Sequence, residues 1–300
     1  MSGTVTAPAR VWWLAIRPNT LPAAIAPVLV GLGVALAART FAPGPAVACL
    51  AVALVLQVAA NLANDLADFR SGADTEDRVG PVRVAARGLA TPRQLTLATA
   101  IVVAGAAVAG LYLVWVGGIV ILVLGILAVL ATLAYTGGPW PYGYHGLGEV
   151  FVFVFFGLVA VMGTAYLQTG AVDALAVLAA VPMGCLATGI LVVNNLRDID
   201  GDRRAGKRTL AVTFGGGFAR AEYAVMLVVA AASVVAMVAL RLASPLALLA
   251  LLAAPLAVPL LRTVFGDGDP RRLNTVLKGT ARLELAFATL LALGLAVGGR

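Results

Sequence analysis

The feature that most constrains this chain is a recurrence of apolar runs about as long as a bilayer is thick. Crossing the hydrocarbon core as a helix takes roughly 20 mostly apolar residues. Runs of that kind fall at 21–38, 46–66, 94–115, 117–135, 149–168, 174–194, 221–240, 243–262 and 281–298. Hydrophobic residues make up 61% of the 300, spread along the whole length, where a soluble domain is nearer about half. The first run could pass for a signal peptide, but eight more follow and no small-residue cleavage site stands out. The pattern predicts an all-α polytopic membrane protein of about nine transmembrane helices, forming a single domain over 1–300.

The cations set an orientation. With the N-terminus placed in the cytoplasm, all but Arg39, Arg241 and Arg300 of the 21 Lys and Arg residues fall on the cytoplasmic side. The positive-inside rule then predicts a cytoplasmic N-terminus and an outside C-terminus, in the cell membrane. The net charge of +7 needs no nucleic-acid partner, because topology and anionic headgroups account for it. Cys49 and Cys185 both lie within predicted spans and read as small buried residues. His145 is the only histidine, which leaves almost nothing for a His-ligated haem or zinc site.

The acids are less easily explained. Charged residues are only 12% of the chain, yet five of its 14 acids fall between Asp65 and Asp77, directly after an apolar run. At 100° per residue, Asn61, Asp65 and Asp68 fall within about 60° of one another, a polar stripe closing the second span. A second stripe, Asn194, Asp198 and Asp202, closes the sixth, with Asn195, Arg197 and Asp200 beside it. Carboxylates at this spacing repel one another unless something positive stands between them. Three readings follow. Arg70, Arg78, Arg197, Arg203 and Lys207 could form an ion-pair network with them at the membrane surface. Carboxylate and amide oxygens could hold magnesium, which commonly keeps waters and substrate phosphates as its other ligands. Or the stripes could line a proton or cation pathway, as in a transporter or channel.

With both stripes in view, the chain resembles the UbiA superfamily of intramembrane prenyltransferases, to which the 4-hydroxybenzoate polyprenyltransferases belong. The residues carrying the likeness are "NDLAD" (64–68) after the second span and "DIDGD" (198–202) after the sixth. The branch it resembles most prenylates 1,4-dihydroxy-2-naphthoate in menaquinone synthesis. That likeness rests on "RPNTLPAAIAPVLVG" (17–31), "NDLADFRSGADTEDRVGP" (64–81), "YTGGPWPYGYHGLGEVFVF" (135–153) and "NNLRDIDGDRRAGKRTLAV" (194–212), with "LNTVLKGTARLEL" (273–285) as a weaker fifth. The acid that the wider superfamily carries four residues after Asp68 is Gly72 here, and the next carboxylate is Asp74.

The resemblance implies transfer of a polyprenyl chain from its diphosphate to an aromatic ring carbon, with magnesium, two ions in all, bridging the diphosphate. Asp65, Asp68, Asp198 and Asp202 are the implied metal ligands, with Asp74 a further candidate. Arg78, Lys207, Arg197 and Arg208 are implied phosphate contacts, and Asn61, Asn64, Asn194 and Asn195 neutral donors in the same shell. Tyr135 is the candidate for the aromatic wall that shields an allylic cation from water. Arg17 could pair with the acceptor's carboxylate, with Asn19 beside it, or simply anchor the first span. Glu149 could orient a substrate hydroxyl or favour a helix dipole. The loops at 69–92 and 203–219 read as caps over the mouth. The resemblance also implies a carboxylate-bearing ring carbon as the point of attack, so that carbon dioxide leaves. Another acceptor, such as 4-hydroxybenzoate or homogentisate, is the alternative within the superfamily.

Overall fold

The computed structural model describes residues 8–72, 80–266 and 269–299. Their regular structure is entirely helical. Helix α1 (Pro8–Ile16) leads through a 3₁₀ turn, Pro18–Thr20, into α2 (Pro22–Ala37). The axis bends by 48° there. Pro18 accounts for the break: it lacks an N–H and disfavours helix at Arg17 before it. Arg17 takes up the turn with φ at +52°. There follow α3 (Pro43–Arg70), α4 (Pro92–Ala134), α5 (Gly148–Thr169) and α6 (Ala174–Arg197). After two short helices, α7 (Ile199–Arg204) and α8 (Leu210–Phe214), come α9 (Gly216–Ala239), α10 (Pro245–Val264) and α11 (Pro270–Gly298). Proline opens α2, α3, α4, α10 and α11, where its missing N–H would find no helical partner in any case.

Among the described residues, seven helices are long and apolar enough to cross a membrane, or eight counting the bent α1–α2 pair as one. Helix α4 accounts for two of the predicted runs. Its 43 residues would extend about 65 Å if straight, twice the ~30 Å hydrocarbon core. It is not straight. Gly118 stands at φ +69°, ψ −156°, well outside helical space. Near the start of α4, Leu95 packs with Leu66, and after its end Thr136 donates to Asn64 at 2.7 Å. Both ends of α4 therefore meet the last turns of α3. Gly117 lies at the opposite end of the bundle, its carbonyl accepting from Tyr166 near the end of α5. Helix α4 is thus a hairpin whose apex is a residue that glycine alone adopts without strain.

Helix α6 is the centre of the bundle, with 78% of its apolar stretch buried, whereas the corresponding figure for α4 is 11%. The side chains that α4 turns outward, including Leu111, Trp115 and Ile119, are those of a surface that faces lipid rather than water. Where α5 crosses α6, a Cβ on Gly157 would stand 2.6 Å from the Cα of Gly184. Small residues allow that approach, and α5 is wound as a π-helix through Phe153–Val159 at the same place. Cys49 and Cys185 are buried and unpaired, as their positions in apolar runs imply.

The C-terminal ends of α3 and α6 and the N-terminal ends of α2, α5, α9 and α11 gather at one end of the bundle. From there a cavity of about 940 Å³ runs inward between α2, α3, α4, α5, α6 and α11.

Candidate active site at the mouth of the cavity

The two acidic stripes meet at this mouth. Asp68 is buried at 2% exposure and receives Arg83, Lys207 and Tyr144. Lys207 follows α7, and its Nζ lies 3.1 Å from Asp68 Oδ1 and 3.5 Å from Asp202 Oδ1. One ammonium therefore joins the first stripe to the second. It also lies 4.7 Å from the centroid of the Tyr144 ring, a cation–π contact. Burial works against the lysine charge, but Asp68 and Asp202 outweigh it and hold its pKa above the ordinary value. Burial likewise raises the Tyr144 phenol.

Asp198 is gripped by its own neighbour. Arg197 donates from Nε to Oδ1 at 2.8 Å and from Nη2 to Oδ2 at 2.6 Å. The same guanidinium reaches Asn194 Oδ1 at 2.8 Å and Asn274 Oδ1, on α11, at 2.9 Å. Arg197 thus fixes the second stripe against α11, and most of its donors are spent inside the protein. It still lines the cavity, where it was expected to meet a phosphate. Asn195 is also engaged, its Nδ2 donating to Glu149 Oε1 at 2.8 Å. So Glu149 meets an amide rather than merely capping α5.

The first stripe splits. Asp65 is fully buried, and its oxygens accept the backbone N–H groups of Val84 at 3.0 Å and Ala85 at 3.2 Å. Arg17 lies 3.8 Å from the same carboxylate. Asp65 does not reach the cavity. It anchors the 80–90 loop, which corrects its expected place among metal-facing acids. Asn61 donates to Ile16 O at 2.8 Å and to Thr20 Oγ1 at 2.9 Å, holding the bend between α1 and α2. The helical wheel alone missed this, because α3 is surrounded on several sides. Its cavity-lining acid is Asp68, with Asn64 one turn before it and fixed by Thr136; Asn61 lines the cavity as well, while holding the bend.

Of the other expected residues, Asn19 and Asn194 line the cavity. Arg208 does not: its side chain is exposed, and its backbone N–H is held by Tyr144 O at 2.8 Å. Arg78 and Asp74 lie outside the described residues. His145 is exposed and stacks on Trp140. Two cations were missed. Arg83 is buried at the mouth against Asp68, and Lys278 lines the wall from α11. Arg83 gave no sequence signal, since it stands 15 residues from its partner in a loop. Lys278 lay within the quoted "LNTVLKGTARLEL".

Aromatic rings form one wall. Tyr135 meets Tyr142 edge-on at 5.4 Å, and Tyr142 stacks on Phe151 at 3.9 Å. The Tyr142 hydroxyl is tied to Ala131 O at 2.9 Å, so the ring is fixed in place. Gly143 and Gly148 crowd Tyr135, and a Cβ on either would come within 3.4 Å of its ring.

Among the oxygen donors lining the cavity are Asn64, Asp68, Asn194, Asp198 and Asp202. Such a set suits magnesium. Among the described residues no three His, Cys, Asp or Glu side chains cluster as a metal cage. Two half-sites facing each other across a gap are what a metal shared with substrate phosphates requires.

An all-helical bundle of long apolar helices, enclosing a largely apolar cavity with acids and cations at one mouth, defines a multi-pass membrane protein. The chain belongs to the UbiA prenyltransferase family, whose model matches residues 24–296. A relative from Mycobacterium tuberculosis, named 1,4-dihydroxy-2-naphthoate octaprenyltransferase, is 42% identical and covers 96% of this chain and 97% of its own. One of the same name from Haemophilus influenzae is 37% identical, covering 96% of each. The solved structure of a UbiA homolog from Archaeoglobus fulgidus bound to GPP and Mg²⁺ superposes with a TM-score of 0.67 at 14% identity. It covers 94% of this chain and 99% of its own.

Proposed function

We propose that this chain transfers a polyprenyl group from polyprenyl diphosphate to 1,4-dihydroxy-2-naphthoate, releasing diphosphate and carbon dioxide and giving demethylmenaquinol for menaquinone synthesis. The observation that carries the reading is the joining of Asp68 and Asp202 through Lys207 at the mouth of a largely apolar cavity. Identity of 37–42% over nearly the full length to relatives named for this reaction supports it.

In this reading Asp68, Asp198 and Asp202, with Asn64 and Asn194, would hold magnesium, two ions in all, which would supply neutralisation of the charge growing on the leaving diphosphate. Arg83 and Lys207 add cationic contacts to the same phosphates, stronger as the allylic C–O bond breaks and its electron pair departs with the diphosphate. Tyr135, Tyr142 and Phe151 face the remaining allylic cation, exclude water and present π faces to it. The ring carbon bearing the carboxylate then gives its π pair to the allylic carbon. The bond to the carboxylate breaks, and its electron pair restores the aromatic ring.

The topology in this reading has nine spans. The α4 hairpin counts as two, the α1–α2 pair as one, and the protein forms a single intramembrane unit over 1–300. The N-terminus and the mouth face the cytoplasm, the side rich in Lys and Arg, and the C-terminus faces outward. A diphosphate and magnesium arrive there from water while the prenyl chain stays in the lipid of the plasma membrane.

The test is product formation by purified protein given magnesium and polyprenyl diphosphate, with the naphthoate and 4-hydroxybenzoate offered together. Prenylated naphthoquinol as the main product supports the reading, and prenylated hydroxybenzoate as the main product overturns the acceptor assignment.

A further inference from the structure

Five cations of the described residues line the cavity: Arg17, Arg83, Arg197, Lys207 and Lys278. Four of them are met by aspartates of this chain. Arg17 pairs with Asp65, Arg83 with Asp68, Arg197 with Asp198, and Lys207 with Asp68 and Asp202. Lys278 is exposed on the wall and has no carboxylate partner among the described residues. A cation near the bilayer without a partner is costly to keep, and such residues usually face a pathway or a substrate.

Its position separates it from the diphosphate. Lys278 lies one turn along α11 from Asn274, whose amide oxygen receives Arg197, the residue that grips Asp198. Four residues of helix advance about 6 Å, close to the width of a fused aromatic ring system. The Pro18–Thr20 turn packs against α11 and brings Asn19 to the same wall. An anion held by Lys278 would therefore lie deeper than one held between the acidic stripes, on the far side of a bound ring.

We infer that Lys278 holds the carboxylate of the aromatic acceptor and so selects acceptors that carry one. The inference rests on the proposed prenyl transfer, and it moves the role expected of Arg17 to a different helix. The residue type suits the task. The carboxylate must lose its charge as carbon dioxide leaves, so a tight bidentate clamp would stabilise the ground state against the reaction. A single ammonium on a flexible stem orients the acid as a point charge without that double grip.

The experiment compares wild type with Lys278→Gln, Lys278→Ala and Lys278→Arg, each checked for a monodisperse profile in detergent. Binding of 1,4-dihydroxy-2-naphthoate and of 1,4-dihydroxynaphthalene, which lacks the carboxylate, is followed by tryptophan fluorescence, alongside the KM of each substrate. Loss of one charge-assisted contact should weaken naphthoate binding about tenfold in Lys278→Gln and Lys278→Ala, raise the acceptor KM to match, and spare the carboxylate-free ring. Lys278→Arg should restore naphthoate binding. Equal naphthoate affinity in wild type and Lys278→Gln overturns the inference. So does a loss that appears in the KM for polyprenyl diphosphate instead. Should wild type neither bind nor prenylate the naphthoate, the functional reading falls with it. If wild type prenylates it and the variants do so with unchanged KM, only this inference falls.

Discussion

Lys207 Nζ stands 3.1 Å from Asp68 Oδ1 across 139 residues of sequence. The lysine leaves a short loop after α7 and the aspartate closes α3, so the contact reports how the ends of α3 and α6 assemble. It also means that a cation already lies between the acids before any metal is considered. Replacing Lys207 by Met should therefore raise the KM for polyprenyl diphosphate and lower kcat/KM about a hundredfold or more, the scale of losing one aligned charge contact to a leaving group. Steady-state kinetics at saturating acceptor would measure it. A variant within threefold of wild type would remove Lys207 from the phosphate site.

Asp65 and Asp198 should part company on substitution. Asp65→Asn disturbs a fully buried carboxylate that holds Arg17 and two backbone amides, and breaking such a pair costs about 3–5 kcal/mol. It should lower the melting temperature while leaving the magnesium needed for half-maximal rate nearly unchanged. Asp198→Asn should instead raise the magnesium requirement sharply, and loosening its pair with the buried Arg197 should lower the melting temperature as well, so the magnesium titration is the readout that separates the two. The pair of variants, melted and titrated side by side, checks the reassignment of Asp65.

The contrast between these two acids marks how far the sequence could be read. Apolar runs are a local property, and the helices appear where hydropathy places them; even the two runs at 94–115 and 117–135 divide beside Gly118. The mouth was legible because polar residues that end an apolar helix have few places to go. What was hidden depended on neighbours. The wheel placed Asn61, Asp65 and Asp68 together, and Asn61 and Asp68 do line the cavity, but the 80–90 loop claims Asp65. No spacing rule could show that Arg83 returns to Asp68, or that Arg197 is spent on Asn194, Asp198 and Asn274. The ion pairs expected at the mouth are present, and the same aspartates, Asp68, Asp198 and Asp202, are both paired and open to the cavity.

The α4 hairpin makes its own prediction. Gly118 lies at φ +69°, where a β-branched residue is strained, so Gly118→Val should cost about 1–3 kcal/mol and lower the melting temperature. Gly125 lies in a helical stretch with open space around its missing Cβ, so Gly125→Ala should be neutral or slightly stabilising. Thermal unfolding of both in one detergent would decide it. Equal melting temperatures would mean the turn at Gly118 is not what folds α4 back.

The Tyr135 ring should matter more than its hydroxyl. Tyr135→Phe keeps a π face towards the cavity and should retain most activity. Tyr135→Ala opens the wall beside Gly143 and Gly148 and removes a cation–π partner worth about 2 kcal/mol when desolvated. It should slow transfer about thirtyfold and divert part of the polyprenyl diphosphate to the free alcohol, as water reaches the cation. Chromatography of labelled prenyl products gives both quantities.

The most direct test of the account follows the acceptor's carboxyl carbon. Purified protein is given magnesium, polyprenyl diphosphate and 1,4-dihydroxy-2-naphthoate labelled in the carboxylate, and trapped carbon dioxide is counted against prenylated product. The account predicts one labelled carbon dioxide per prenyl group transferred, dependent on magnesium and lost in Asp198→Asn. Prenylated product that retains the label, or no product beside intact diphosphate, would contradict it.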